Sequence, residues 1–244
     1  FSFFTISFTV PGFIVHYILI MKTYVLKPLK TETASQFDAS DLNQPQQDAV
    51  FHNDGPLLVI AGAGSGKTRT LVHRVARLVF DGVEPNRILL LTFTRKASDE
   101  MLNRATSILD QRCQNISGGT FHSFANIILR QYGSSIGYDK QFSILDQSDS
   151  QDLIQMIRKN MGLNKAEKRF PKKATVLTII SKAFNTDQSI EEVLMNDFPQ
   201  FIEYSREIDL INIKYKAYKK DMQVMDYDDL LLKLLELLET KHDI

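Results

Sequence analysis

A chain of 244 residues is long enough for one large domain or two small ones. Its 29 Lys and Arg balance 29 Asp and Glu, so overall charge announces no nucleic-acid partner, and any such site must be a local patch. The hydrophobic fraction of 43% suits a buried core, and the single cysteine, Cys113, excludes an internal disulfide and fits a reducing cytoplasm.

The first twenty residues, FSFFTISFTVPGFIVHYILI, carry no Asp, Glu, Lys or Arg. The length suits a membrane span. Pro11 and several Ser and Thr weaken that reading, and no Lys or Arg precedes the stretch as in a secretory leader. The chain opens on Phe, and Met21 starts an ordinary polar segment, MKTYVLKPLK. The expectation is that residues 1–20 are non-native upstream sequence or a disordered tail, with no stable membrane association. Residues 22–40 are polar, contain Pro28 and show no period, so residues 1–39 read as a tail.

Three similar units follow. Leu57 to Ile60 is a short apolar run that leads into AGAGSGKT and a helix whose Leu71, Val72, Val75, Leu78 and Val79 form one apolar stripe. Gly82 is placed to stop that helix. Ile88 to Leu91 is the next run, before TFTRKASDEM, and Met101, Leu102, Ala105, Ile108 and Leu109 repeat the stripe. Ile116 to Thr120 then leads into FHSFANIILRQYG, with Gly133 as its stop. Short buried strand, loop and helix in repetition predict an α/β fold with a parallel sheet, with functional loops at the carboxyl ends of the strands. Residues 145–225 show helical periods and no convincing buried strand. The segment MDYDDLLLKLLELLETKHDI closes the chain as a helix with Leu230, Leu231, Leu234, Leu237 and Leu238 on a face that Leu232 and Leu235 widen toward full burial.

AGAGSGKT, residues 61–68, is a P-loop pattern. Gly62, Gly64 and Gly66 carry no Cβ, so the backbone can turn tightly and bring its N–H groups to phosphate oxygens. Ala63 and Ser65 complete that backbone. Lys67 reaches the terminal phosphates, and the Thr68 hydroxyl is the metal-facing group. The following helix adds its N-terminal partial charge. Ala61 departs from the usual GxxxxGK[ST] pattern at its first position.

A phosphate loop alone names only a superfamily, and its neighbours narrow it. LNQPQQDAV (42–50), AGAGSGKT, LTFTRKASDEM (91–101) and GTFHSF (119–124) occur in that order. Together they resemble the N-terminal part of superfamily 1 DNA helicases of the UvrD/Rep/PcrA type, and the resemblance spans residues 40–244. FSILDQSDSQDLI (142–154) and MDYDDLL (225–231) look like that family's landmarks around a helical insertion. The family also carries Ala at the first loop position, which accounts for Ala61.

The resemblance implies a RecA-like P-loop NTPase domain over residues 40–141, an inserted all-helical subdomain over 142–225, and a return helix over 226–244. It implies ATP with Mg²⁺ as the cofactors, and single-stranded and duplex DNA as the partners. Residues 61–68 would hold the phosphates, Lys67 and Thr68 would take the catalytic roles with Mg²⁺ at Thr68, and Arg69 would lie close by. Gln46 is the candidate for the adenine edge, since a side-chain amide donates and accepts at once. Asn43 and Gln46 also fit a helix capping box, and the two roles are compatible. Phe93 offers a ring for a DNA base, with Thr92 and Thr94 as phosphate donors. Arg95 stands where the family commonly has Asn, and an Arg can still bind phosphate. Thr120 and His122 are further DNA-backbone candidates. The basic turn KRFPKK (168–173) reads either as a phosphate-contacting patch or as a solvated turn.

The family's metal-holding Asp and catalytic Glu sit on a strand ending DExQD beyond the MDYDDLL helix, and the sequence stops before one. Asp228 and Asp229 read as helix N-terminal acids rather than substitutes. The expectation is therefore a cytoplasmic 3′-to-5′ DNA helicase of which this chain is the N-terminal portion, hydrolysing ATP poorly alone. Two other readings stay open: a subunit of an AddA/RecB-like helicase–nuclease, and a truncated nucleotide-binding module without catalysis.

Overall fold

The computed structural model describes residues 37–53, 55–163 and 170–240, together with the backbone of residues 2–10 and 13–21. The chain divides into two compact units, residues 1–124 and 125–244.

In the first unit, β1 (Ser2–Val10) pairs antiparallel with β2 (Phe13–Met21), Ser2 opposite Met21 and Val10 opposite Phe13. Among the described residues no helix is long and apolar enough to cross a membrane. Residues 22–36 lie outside the described residues. Beyond them Phe37, Ala39 and Leu42 are buried against Val50 and Ala76, and the Phe37 ring meets Phe51 at 6.4 Å and Phe80 at 5.6 Å. Helix α1 (Gln44–Phe51) starts at a reciprocal cap: the Gln46 N–H donates to Asn43 Oδ1 at 3.1 Å, and the Asn43 N–H donates to Gln46 Oε1 at 3.0 Å.

Helix α2 (Lys67–Phe80) buries the five stripe residues Leu71, Val72, Val75, Leu78 and Val79. It stops where Gly82 takes φ +91°, a conformation that lets the Val83 N–H reach the Leu78 carbonyl at 3.0 Å. Strand β3 (Leu89–Thr92) precedes helix α3 (Arg95–Ile108), and β4 (Ser117–Thr120) runs parallel to β3 with Leu89 opposite Ser117 and Thr92 opposite Thr120. The core joins Leu71, Val75, Ile88, Leu90, Met101 and Cys113. At Gly118 a Cβ would come within 2.7 Å of Leu102 Cδ1, so α3 packs closely over β4 because that position has no side chain.

The apolar run at Leu57 departs from expectation. It forms no ladder: Leu58 makes an isolated bridge. Leu57 and Val59 pack on the core, whereas Leu58 is 55% and Ile60 80% exposed. An extended chain sends alternate side chains to opposite sides, and only one side of this run is covered.

Helix α4 (Phe121–Tyr132) carries the chain into the second unit, where its Ala125 and Leu129 are buried with Phe142, Met225, Leu230 and Leu237. It ends at Gly133, whose carbonyl accepts the Tyr138 N–H at 3.0 Å. Strand β5 (Ser143–Ile144) leads into four helices, α5 (Gln147–Asn160), α6 (Lys173–Asn185), α7 (Ile190–Asp197) and α8 (Ser205–Asp221). The chain returns through β6 (Val224–Met225), parallel to β5, into helix α9 (Tyr227–Thr240). The four helices pack around Ile154, Ile157, Ile179, Val193, Ile208 and Ile211. Helix α9 is less enclosed than its leucine content suggests: Leu230 and Leu237 are buried, but Leu235 is 50% and Leu238 39% exposed.

One charged cluster fastens α8 to the return. Lys219 Nζ lies 2.6 Å from both Asp226 Oδ2 and Asp229 Oδ2, and Tyr215 donates to Asp226 at 2.8 Å. Burial pushes the Asp229 carboxyl up. Burial acts on Asp226 too, but Lys219 and the extra Tyr215 donor outweigh it and hold that carboxyl below the usual range. Asp228, on the next face of α9, accepts from Ser181 Oγ at 2.5 Å and Asn185 Nδ2 at 3.1 Å.

Candidate functional site

The loop from Ala61 to Gly66 is closed on itself. Gly64 and Gly66 adopt φ +75° and +81°, a region open to glycine at little cost. A Cβ at Gly62 or Gly64 would meet no atom within 4 Å, so neither position is crowded by a neighbouring element. Lys67 Nζ donates to the Gly62 carbonyl at 2.8 Å and the Ala61 carbonyl at 3.3 Å, and Ser65 Oγ donates to Gly62 at 2.7 Å. Gly66 precedes the first turn of α2, where Lys67 and Thr68 are half-buried. A glycine-rich loop, a helix N-terminus and a lysine folded onto the loop's Ala61 and Gly62 carbonyls fit a phosphate chain. One protein hydroxyl, on Thr68, fits Mg²⁺, which keeps several waters and phosphate oxygens. No group of three His, Cys, Asp or Glu among the described residues could hold a metal.

The segment before α1 lies against this loop. Gln46 holds the cap through Oε1 and donates from Nε2 to the Ser65 carbonyl at 3.0 Å, so both ends of its amide have protein partners. The φ of +81° favours glycine at Gly66, and a Cβ there would fall 2.7 Å from Gln46 Nε2 and push that amide off the loop. Arg69 pairs with Asp41, a residue that the motif reading missed. The Arg69 contact holds the Asp41 carboxyl below the usual range. His73 is buried: its Nε2 is 3.2 Å from Asp41 Oδ1, and its Nδ1 is 2.9 Å from the Arg69 carbonyl. Sequence signalled Asp41 only through its place one residue before the LNQPQ motif.

A second constellation lies at the paired ends of β3 and β4. Thr92 is fully buried, and its hydroxyl donates to the Thr94 carbonyl at 2.8 Å, so it shapes the turn rather than facing solvent. Thr94 caps α3 by accepting the Ala97 N–H at 3.2 Å, and Arg95 is exposed on the first turn. Phe93 is 55% exposed, with Phe121 tilted against it at 5.7 Å. Phe121 was not singled out from the sequence; an aromatic directly after Thr120, in register with Thr92, was the available signal. Thr120 and Ser123 cap the start of α4, the Ser123 N–H donating to Thr120 Oγ1 at 3.1 Å, and His122 is half-buried beside them. Of the basic turn, Lys168 and Arg169 lie outside the described residues; Lys173 pairs with Asp152 at 2.5 Å, and Arg158 lies 4.9 Å over the Phe170 ring.

Residues 42–244 match the family model of the UvrD/REP helicase N-terminal domain. The chain belongs to that family. It is 36% identical over 209 residues to the ATP-dependent DNA helicase PcrA of Leuconostoc citreum, covering 83% of this chain and 27% of the relative. The PcrA of Bacillus subtilis is 39% identical over 207 residues, 82% of this chain and 26% of the relative. That of Staphylococcus epidermidis is 33% identical over 205 residues, with 82% and 27% covered. The chain thus spans about a quarter of the length of the curated relatives it matches. The UvrD/REP match begins at Leu42, so it takes in the capped helix α1, the phosphate loop and both strand exits, and leaves Asp41 just outside.

Proposed function

We propose that this chain is the ATP-binding N-terminal portion of an ATP-dependent DNA helicase that moves 3′ to 5′ on single strands and unwinds duplex DNA. The observation that carries the nucleotide half is the glycine loop at the start of α2, with Gly64 and Gly66 at positive φ and Lys67 folded onto the Ala61 and Gly62 carbonyls. In this reading residues 40–141 form a RecA-like domain, residues 142–225 a helical insertion, and residues 226–244 the return. The protein works in the cytoplasm, where its DNA substrates are.

The residues then divide the work. The backbone N–H groups of residues 62–68 and the Lys67 ammonium bind the β- and γ-phosphates. Thr68 would hold Mg²⁺ through its hydroxyl, and that ion would supply charge neutralisation to the phosphates. Gln46 reaches the adenine edge by trading its bond to the Ser65 carbonyl for the base. Phe93 stacks on a DNA base, and Thr94, Arg95, Thr120 and His122 line the backbone track.

The test is DNA-stimulated ATPase of the full-length protein beside Lys67→Ala. Stimulation by single-stranded DNA in the wild type, and its loss in the variant, is expected. Equal low rates in both refute the helicase reading.

A further inference from the structure

Asp41 is more constrained than an ordinary surface carboxylate. It stands between two buried apolar residues, Ala39 and Leu42, which are 7% and 5% exposed, so its backbone is anchored. Its two oxygens are divided between Arg69 and the buried His73, and His73 in turn contacts the Arg69 carbonyl at 2.9 Å. This closed ring of three residues fixes a guanidinium that is still 49% exposed. Five residues further on, Gln46 touches the phosphate loop at Ser65. Residues 41–46 therefore carry an ion pair to Arg69 at one end and, at the other, the amide that meets the loop. Those groups differ in kind from the loop's N–H groups and ammonium: a planar guanidinium stacks on flat rings, and an amide reads ring edges.

We propose that Asp41 is a positioning residue of the nucleotide site, holding the Arg69 guanidinium as a fixed flat face for the nucleoside end of a nucleotide whose phosphates occupy the loop. The inference rests on the nucleotide reading above and adds a residue outside the motif. Asp41 acts only through Arg69. Removing its charge leaves the arginine free to sample rotamers and adds an ordering cost to binding.

The experiment is calorimetric titration of the full-length protein with a non-hydrolysable ATP analogue and with inorganic tripolyphosphate. Asp41→Asn should weaken the analogue about fivefold, the upper range for a solvent-exposed pair, and leave tripolyphosphate unchanged. Asp41→Glu should recover most of the loss. Asp41→Asn combined with Arg69→Ala should bind no worse than Arg69→Ala alone. Unchanged analogue binding in Asp41→Asn overturns the proposal. So does an equal loss for analogue and tripolyphosphate, which makes the segment a support for the loop only, and so does additivity of the two substitutions. If the wild type binds neither ligand more tightly than Lys67→Ala, the nucleotide reading itself fails and takes the proposal with it.

Discussion

Replacing Lys219 with Met tests whether the buried charge cluster holds the second unit together. The Lys219 side chain is 6% exposed, and the Asp226 and Asp229 side chains are 12% and 10% exposed. Met fills a similar volume, so the change removes charge more than packing. It strands two carboxylates about as deep as a core residue. Breaking a buried pair by deleting one partner costs about 3–5 kcal/mol. With a urea slope of about 2 kcal/mol per molar, the unfolding midpoint should fall by about 2 M. The chain has no Trp, so circular dichroism of the helices is the suitable probe. The pH dependence separates charge from packing. In the variant both carboxyls have folded-state values above the unfolded value of about 3.9. Such a group binds more protons folded than unfolded, so stability is lost as pH rises from the unfolded value through the folded one. The variant should therefore regain stability as pH falls from 7 toward 5, and by more than the wild type, where Asp229 alone is pushed up and Lys219 holds Asp226 down. Adding Asp226→Asn and Asp229→Asn, which keep the cap of α9, should restore most of the midpoint at pH 7. A deficit equal at pH 5 and pH 7, or untouched by the two amides, refutes the reasoning.

Three further outcomes are expected. Gly66→Ala forces a side chain into φ +81° and onto Gln46 Nε2, so it should cost about 1–3 kcal/mol by denaturation and abolish binding of the ATP analogue. Phe93→Ala should weaken single-stranded DNA binding by about 1–3 kcal/mol in an anisotropy titration, and Phe121→Ala, which removes the ring supporting Phe93, by less. Burial pushes the Cys113 thiol up and encloses it, so a maleimide should label it slowly in the native protein and rapidly in urea.

What could be read from sequence followed how local the cause was. The α2 stripe, its stop at Gly82 and the cap at Asn43 depend on residues within one or two turns, and the structure has all three. The glycine loop at the start of α2 was legible as a loop because one short segment carries its glycines and its lysine. Asp41 was not, since its partners Arg69 and His73 lie 28 and 32 positions away and no period connects them. Phe37 sat in a segment read as tail, because a single aromatic among polar residues gives no pattern, yet its ring meets three others. The acids of MDYDDLL were placed at a helix start, where they are, but the lysine between Asp226 and Asp229 comes from α8. The run from Leu57 to Ile60 looked like a short buried strand, since apolarity records what a residue tolerates rather than what covers it.

The resting bonds of the phosphate loop make ligand binding an exchange. Gly62 offers one carbonyl oxygen to three donors, Ser65 Oγ at 2.7 Å, Lys67 Nζ at 2.8 Å and, more weakly, the Ser65 N–H at 3.4 Å. On the proposed reading Lys67 turns to a phosphate and trades bonds to neutral carbonyls for a charge-assisted one, so only the difference appears as affinity. Ser65 meanwhile stays on Gly62 and keeps that oxygen satisfied. In Ser65→Ala the departing lysine leaves the Gly62 oxygen with the Ser65 N–H, at 3.4 Å, and water. The loop is exposed, so water recovers much of the loss, and the remaining penalty is under about 1 kcal/mol. Ser65→Ala should therefore bind the ATP analogue about two- to fivefold more weakly at unchanged unfolding midpoint, with the same loss for tripolyphosphate because the defect lies on the phosphate side. A loss confined to the ATP analogue would assign Ser65 to the nucleoside end, and no loss would mean that Lys67 leaves Gly62 without help.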